Sequence, residues 1–184
     1  MSDEDLFRAY KNGNVDAFGE IMNKYKGPIY NYIVRMTGRR AADDIFQEVF
    51  IKVLEKASSY TSKGKFSHWL FSIARNAALD WHRKNKGREV SLDSKEEGQF
   101  SYSEKLADKK DSPEEVMEKN EISRTIEAAL GKLSYEQKEI FCLRCYSGLN
   151  FREISEILNI PIGTALARMS RGMEKMRKEM EGFL

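Results

Sequence analysis

Residues 150–178, NFREISEILNIPIGTALARMSRGMEKMRK, constrain this chain more than any other stretch, because they set two helical patterns on either side of a tight break. Phe151, Ile154, Ile157 and Leu158 recur at helical spacing. Asn159-Ile160-Pro161 interrupts the pattern, and the preset φ of Pro161 suits the start of a second helix. In that second helix Ile162, Leu166, Met169, Met173, Met176 and Met180 step by four and three. Thr164, Arg168, Arg171, Lys175 and Lys178 step the same way, offset from them. The spacing predicts one apolar and one cationic face. A short helix braced behind such a helix can lay a basic face in the DNA major groove. A surface helix with solvated charges gives the same pattern, so these residues alone leave both readings open.

Charge distribution adds direction. The 184 residues carry a net charge of only +2, so the overall balance does not announce a polyanionic partner. Locally the picture differs. Residues 63–88 hold seven bases against one acid, Asp80, and residues 89–121 hold eleven acids against five lysines. That alternation fits a basic binding surface beside an acidic tether. No apolar run is long enough to cross a bilayer, and MSDEDLFRAY is not a signal peptide. A soluble, cytoplasmic protein without membrane insertion is expected.

The remaining pattern predicts helices and few strands. Val15–Met36 carries Phe18, Ile21, Met22, Tyr25, Ile29, Tyr32, Ile33 and Met36 at mixed steps of three and four, with Pro28 expected to kink or split the helix. Thr37-Gly38 closes it. Asp43–Ser58 reads as a helix with acids in its first turn and Ile45, Val49, Val53 and Leu54 inward. After the turn-rich YTSKGK, a helix over 67–85 carries Trp69, Leu70, Ile73, Ala77 and Trp81. Residues 87–112 lack periodicity and are polar. Helix resumes after Pro113, running through Val116, Ile122, Ile126 and Leu130, and Ser134 with Gln137 forms a capping box for the next. The fold class expected is all-α: two small helical domains joined by a flexible acidic linker, the C-terminal one a helix-turn-helix.

Cys142 and Cys145 form a CxxC within EQKEIFCLRCYSG, and the histidines, His68 and His82, lie far away in sequence. Four zinc ligands are not at hand, so small buried thiols are expected, with a redox or metal switch as the alternative. No metal site, cofactor or catalytic residue is predicted, and no nucleophile–base pair or phosphate loop is evident.

Three segments, in order, resemble the extracytoplasmic-function (group IV) RNA polymerase sigma factors: AADDIFQEVFIKVLEK at 41–56, KGKFSHWLFSIARNAALDWHRK at 63–84, and the stretch from Leu133 to Gly172. The resemblance implies a polymerase-binding and −10 domain over 1–88, a linker over 89–113 and a −35-reading domain over 114–184. It implies docking of Asp44, Gln47, Glu48 and Lys52 on core RNA polymerase, at the β′ clamp helices, with the β subunit also contacted. It implies that Tyr60, Lys63, Lys65 and Phe66 lie in or beside a loop holding a flipped −10 base, with Ser67, His68, Asn76, Asp80 and Arg83 on the following helix. Aromatic platforms and cations suit an unpaired strand. Thr164, Arg168, Arg171 and Lys175 are the −35 candidates; arginine can read guanine or pair with phosphate. Promoter DNA and an anti-sigma factor are the further partners implied. The chain departs from the family's GTVKSR by reading Gly163-Thr164-Ala165-Leu166-Ala167-Arg168, and it has Phe46 where a smaller residue is usual. The linker is either a passive tether or a chain threaded through polymerase channels. A conventional helix-turn-helix regulator and a sigma-like decoy are the rival classes.

Overall fold

The computed structural model describes residues 1–61, 65–85, 122 and 124–181. The labelled helices are α1 (Asp3–Lys11), α2 (Val15–Thr37), α3 (Arg39–Lys56), α4 (Phe66–Asn85), α5 (Tyr135–Ser147), α6 (Phe151–Leu158) and α7 (Ile162–Met180). Residues 124–131 are also helical, and no strand occurs among the described residues. The fold is all-α, with two helical domains. The expected linker, 89–113, lies outside the described residues, as does most of the helix expected after Pro113. None of the described helices is long and apolar enough to cross a membrane.

α2 is the organising element. Ile21, Ile29, Tyr32 and Ile33 are fully buried along it, and it packs against α1, α3, α4 and α5. Four neighbours explain the mixed spacing: the helix buries more than a single stripe. Pro28 lies inside one continuous helix rather than splitting it. An interior proline costs about 3 kcal/mol or more, and burying one Ile side chain returns about 1.5–3 kcal/mol, so the flanking Tyr25, Ile29, Tyr32 and Ile33 outweigh it.

Gly38 ends α2 and begins α3, with φ at 79° and its N–H donating to Val34 O at 2.8 Å. That left-handed backbone is cheap only for glycine. Because the turn is one residue, α3 starts at Arg39, earlier than expected, and its first turn carries no acid. Its buried side is Ala42, Ile45, Val49, Phe50 and Val53; Leu54, expected inward, is 45% exposed. Phe46 turns toward Tyr30 and Phe50, at ring-centroid distances of 5.7 and 4.9 Å.

Of the C-terminal caps, the sequence predicts the one at Ser134, and the structure adds those around α6. Ser134 and Gln137 form a capping box on α5, and Asn150 with Glu153 forms one on α6. Asn159 ends α6 in the left-handed region at φ 52°, and Pro161 caps α7. The two domains are not held only by their linker. α5 packs on α2 and α4, α6 packs on α4, and one core cluster runs from Leu6 to Ala165. Ala129, Leu130, Leu133 and Met176 make a second, smaller cluster.

Candidate nucleic-acid interface

On α3, Asp44, Gln47 and Glu48 are exposed, and Lys52 is half-buried with its ammonium 2.5 Å from Glu48. The structure adds two residues to this face. Ile51 is 55% exposed and lies on the same row as Asp44, Glu48 and Glu55; Leu54 is beside it. An acidic face with two protruding aliphatic side chains can offer a partner both charge and apolar contact. The heptad-like spacing hid them, because Ile51 and Leu54 look like core when read by residue type.

Residues on either side of positions 62–64 are held by α1. Glu4 Oε1 accepts a hydrogen bond from Phe66 N at 3.0 Å, supplying a cap for α4 from another helix. Lys11 Nζ donates to Ser58 O and Tyr60 O at 3.2 and 3.1 Å, fixing the end of α3. Phe66, expected to face a DNA strand, is instead fully buried, its ring 4.9 Å from Phe7 and 5.7 Å from Tyr25. Tyr60 is only 9% exposed, packed edge-on to Phe7 and 4.8 Å from Trp69. Aromatic pairs of this kind add about 0.5–1.5 kcal/mol beyond burial, which favours the core over a stacking platform. Lys63 lies outside the described residues. Ser67 is half-buried and interacts with the Tyr25 hydroxyl, whose pKa burial and Asp3 push upward.

Farther along α4, Asn76, Asp80 and Arg83 step by four and three and are all exposed. They share a groove of about 360 Å3 with Lys52, Lys56 and Arg75. Arg83 lies 3.9 Å from Asp80. The sequence-predicted set is therefore divided: Asn76, Asp80 and Arg83 form one open surface, while Lys65 and His68 face the C-terminal domain.

On α7 the inward seam differs from the one the spacing suggests. Ala165, Gly172 and Met176 are buried, Met169 and Met180 are half-buried, and Ile162, Leu166 and Met173 are 45%, 46% and 48% exposed. Small side chains let α7 lie close against α5, and reading by hydrophobicity passes over Ala165 and Gly172. Arg171 and Lys175 are exposed, whereas Thr164 and Arg168 are half-buried. Glu136 is held below the usual carboxylate range, first by its backbone amide, then by Ser134, with Arg168 adding to the effect.

Between the domains, Tyr60, Lys65, His68 and Trp69 line a cavity of about 400 Å3 together with Glu153 and Glu156 of α6. Lys65 Nζ is 3.0 Å from Glu153 Oε1, and His68 Nε2 is 3.9 Å from Glu156 Oε2. Nearby, Arg75 Nε donates to Glu139 Oε1 at 3.0 Å. Glu139 is 3% exposed; burial raises its carboxyl, and the Arg75 guanidinium opposes that rise. His82 stacks on Tyr135 at 4.4 Å.

The CxxC is split by the helix. Cys142 is buried, with its thiol pushed up to about 12 by that burial, and Cys145 is exposed. No group of three potential metal ligands is found among the described residues.

Sigma-70 region 2 matches residues 21–88, and Sigma-70, region 4, matches residues 123–176. The ECF RNA polymerase sigma factor SigW of Bacillus subtilis is 38% identical over 174 residues, covering 92% of each chain. The chain belongs to the ECF sigma factors. An ECF RNA polymerase sigma-E factor of Haemophilus influenzae is 27% identical over 186 residues, covering 100% of this sigma factor and 98% of that one. Sigma factors initiate transcription and are not enzymes. The fold is also that of solved relatives. RpoE of Bartonella quintana, solved with the anti-sigma factor NepR, superposes with a TM-score of 0.67 at 21% identity, over 91% of this chain and 98% of that one. CnrH, solved with the cytosolic domain of CnrY, gives 0.67 at 18% identity over 99% of both. In this sigma factor the region 2 match takes in most of α2 and all of α3 and α4, and the region 4 match takes in α5, α6 and most of α7.

Proposed function

We propose that this sigma factor works in the cytoplasm, binding core RNA polymerase through α3 and directing it to promoters with −10 and −35 elements. Asp44, Gln47 and Glu48, with Ile51 and Leu54, meet the β′ clamp helices, and Lys52 orients Glu48. Asn76, Asp80 and Arg83, with Lys63, Lys65 and His68, hold the melted −10 strand. Arg171 and Lys175, with Thr164 and Arg168, meet the −35 duplex. Phe66 braces the −10 loop from within, and Tyr60 and Ser67 serve the strand only at its edge. The functional units are residues 1–88, a linker over 89–113 and residues 114–184. Anti-sigma control is part of the reading, supported by relatives solved with the anti-sigma factor NepR and with the cytosolic domain of CnrY.

One observation carries it: the outer faces of α3 and α4 are chemically distinct, acids with two aliphatics on one and an amide, an acid and an arginine in a row on the other. Such a unit can dock on a protein and grip a strand at once. The test is run-off transcription with sigma-free bacterial core polymerase on genomic fragments that include the DNA upstream of this gene. Discrete start sites that require the protein support the reading. Polymerase binding without transcripts favours a decoy, a reading to which Leu166, 46% exposed where the family carries a base, lends some weight. Absence of polymerase binding refutes both.

A further inference from the structure

The leading end of α7 carries no charge. Residues 162–167 read IGTALA, and the first cation of the helix is Arg168, which is half-buried. Arg171 and Lys175 stand exposed one and two turns farther on. In a helix-turn-helix the N-terminal residues of the second helix are the ones that reach base edges. Here that end offers two large aliphatic side chains. Ile162 and Leu166 are 45% and 46% exposed and lie one turn apart on the same row. Thr164, the one polar side chain among the six, is half-buried. Gly163 and Ala167 run beside the aliphatic row, and nothing packs over Gly163, so a base edge can approach the backbone closely there.

In the major groove the base pairs differ in their hydrogen-bonding groups and in one apolar feature, the C5-methyl of thymine. An aliphatic side chain laid on a carbonyl or amine edge strips that edge of water and returns no hydrogen bond. Only the methyl rewards it. We propose that Leu166, with Ile162 in front of it, reads thymine methyl groups in the −35 duplex, while Arg171 and Lys175 hold the backbone. The inference deepens the contact between α7 and the −35 duplex proposed above and rests on it. Leu166 then alters which sequence the helix selects rather than whether it binds. Ile162 and Leu166, with Met173 behind them, could also meet a protein. The charge of the helix favours DNA: Arg168, Arg171, Lys175, Arg177 and Lys178 stand against Glu174 and Glu179.

The experiment uses the full chain bound to core polymerase. A promoter located by the run-off assay is rebuilt with deoxyuridine in place of each thymidine on both strands of its −35 segment. Uracil keeps the pairing and every hydrogen-bonding edge and lacks only the methyl. Transcript is measured from both templates at limiting holoenzyme, for wild type, Leu166→Ala and Arg171→Ala, and a circular-dichroism melt verifies the fold of each variant. Wild type should lose roughly fourfold in transcript for each methyl it contacts, the factor expected for one buried methyl-sized group. In Leu166→Ala the thymine-to-uracil ratio should fall toward one. Arg171→Ala should lower transcription from both templates and keep the wild-type ratio. A wild-type ratio near one overturns the inference, as does an undiminished ratio in Leu166→Ala, and either result would leave the aliphatic row to a protein partner. A −35 segment without thymine on either strand overturns it as well. A ratio near one together with an Arg171→Ala variant as active as wild type removes α7 from the −35 duplex altogether, which is the failure of the underlying reading and not of this inference alone.

Discussion

Replacing Arg75 by methionine should be among the most damaging single changes to this protein. Arg75 and Glu139 are 19% and 4% exposed at their side chains and hydrogen-bonded at 3.0 Å across the two domains. Methionine keeps the length and apolar body of the arginine but leaves Glu139 buried and unpaired. Breaking a buried pair from one side costs about 3–5 kcal/mol, against a total stability of about 5–15 kcal/mol for a typical domain. The pH dependence has a defined sign. Burial already raises the Glu139 carboxyl above its ordinary 4.5, and Arg75 is the main force lowering it. Without Arg75 the carboxyl rises further, so the folded variant holds a proton that the unfolded chain releases. Stability of the variant therefore falls as pH rises from 4.5 through the raised folded value, and its deficit against wild type shrinks on acidification. Urea unfolding at about pH 7 and again at about pH 5 measures both effects. Arg75→Met combined with Glu139→Leu should recover most of the loss, since an apolar pair avoids the unpaired charge. A single-variant deficit below about 1 kcal/mol, typical of solvated pairs, would show that the domains do not dock in this way and would refute the argument.

Other substitutions probe the separate surfaces. Phe66→Ala should cost about 3–5 kcal/mol in denaturant titrations, as for a buried aromatic; a near-neutral effect would return Phe66 to the strand. Asp44→Lys with Glu48→Lys should weaken capture of core polymerase in a pull-down while leaving the melting temperature within a few degrees of wild type. Arg171→Ala should lower −35-dependent run-off transcription by an amount corresponding to about 1–3 kcal/mol if it reads a base, without loss of stability. Arg168→Ala should lower both, because its side chain is half-buried and its charge acts on Glu136. At mildly alkaline pH a thiol-reactive dye should modify Cys145 quickly and reach Cys142, with its thiol near 12, only after unfolding; two equal fast phases would contradict the burial of Cys142.

Local signals were the most legible. The breaks at Thr37-Gly38 and Asn159-Pro161, and the capping box at Ser134, rest on contacts between residues three or four apart, which periodicity can register; the Asn150–Glu153 box is of the same kind and was passed over. The acids of α3 and the row Asn76, Asp80 and Arg83 were legible for the same reason: an exposed helical face repeats at the helical period. Errors arose where neighbours from distant sequence decide. Phe66 looks like a platform beside basic residues, yet Phe7 and Tyr25 enclose it. Leu54 and Leu166 look like core and are exposed, because the facing surfaces are filled by Phe50 and Ala165.

The sequence by itself determined the all-α class, the end of α2, the break between α6 and α7, the helix-turn-helix and the family to which the chain belongs. Those properties follow from backbone capping, helical periodicity and ordered motifs, each encoded within a few turns of chain. Only the tertiary structure decided that α1 caps α4 through Glu4, that α2 lies against α5, and that Glu139, Glu153 and Glu156 meet Arg75, Lys65 and His68. Contacts between residues tens of positions apart leave no periodic trace. They depend on which faces the packed cores leave outward and on which opposite charges then come within reach.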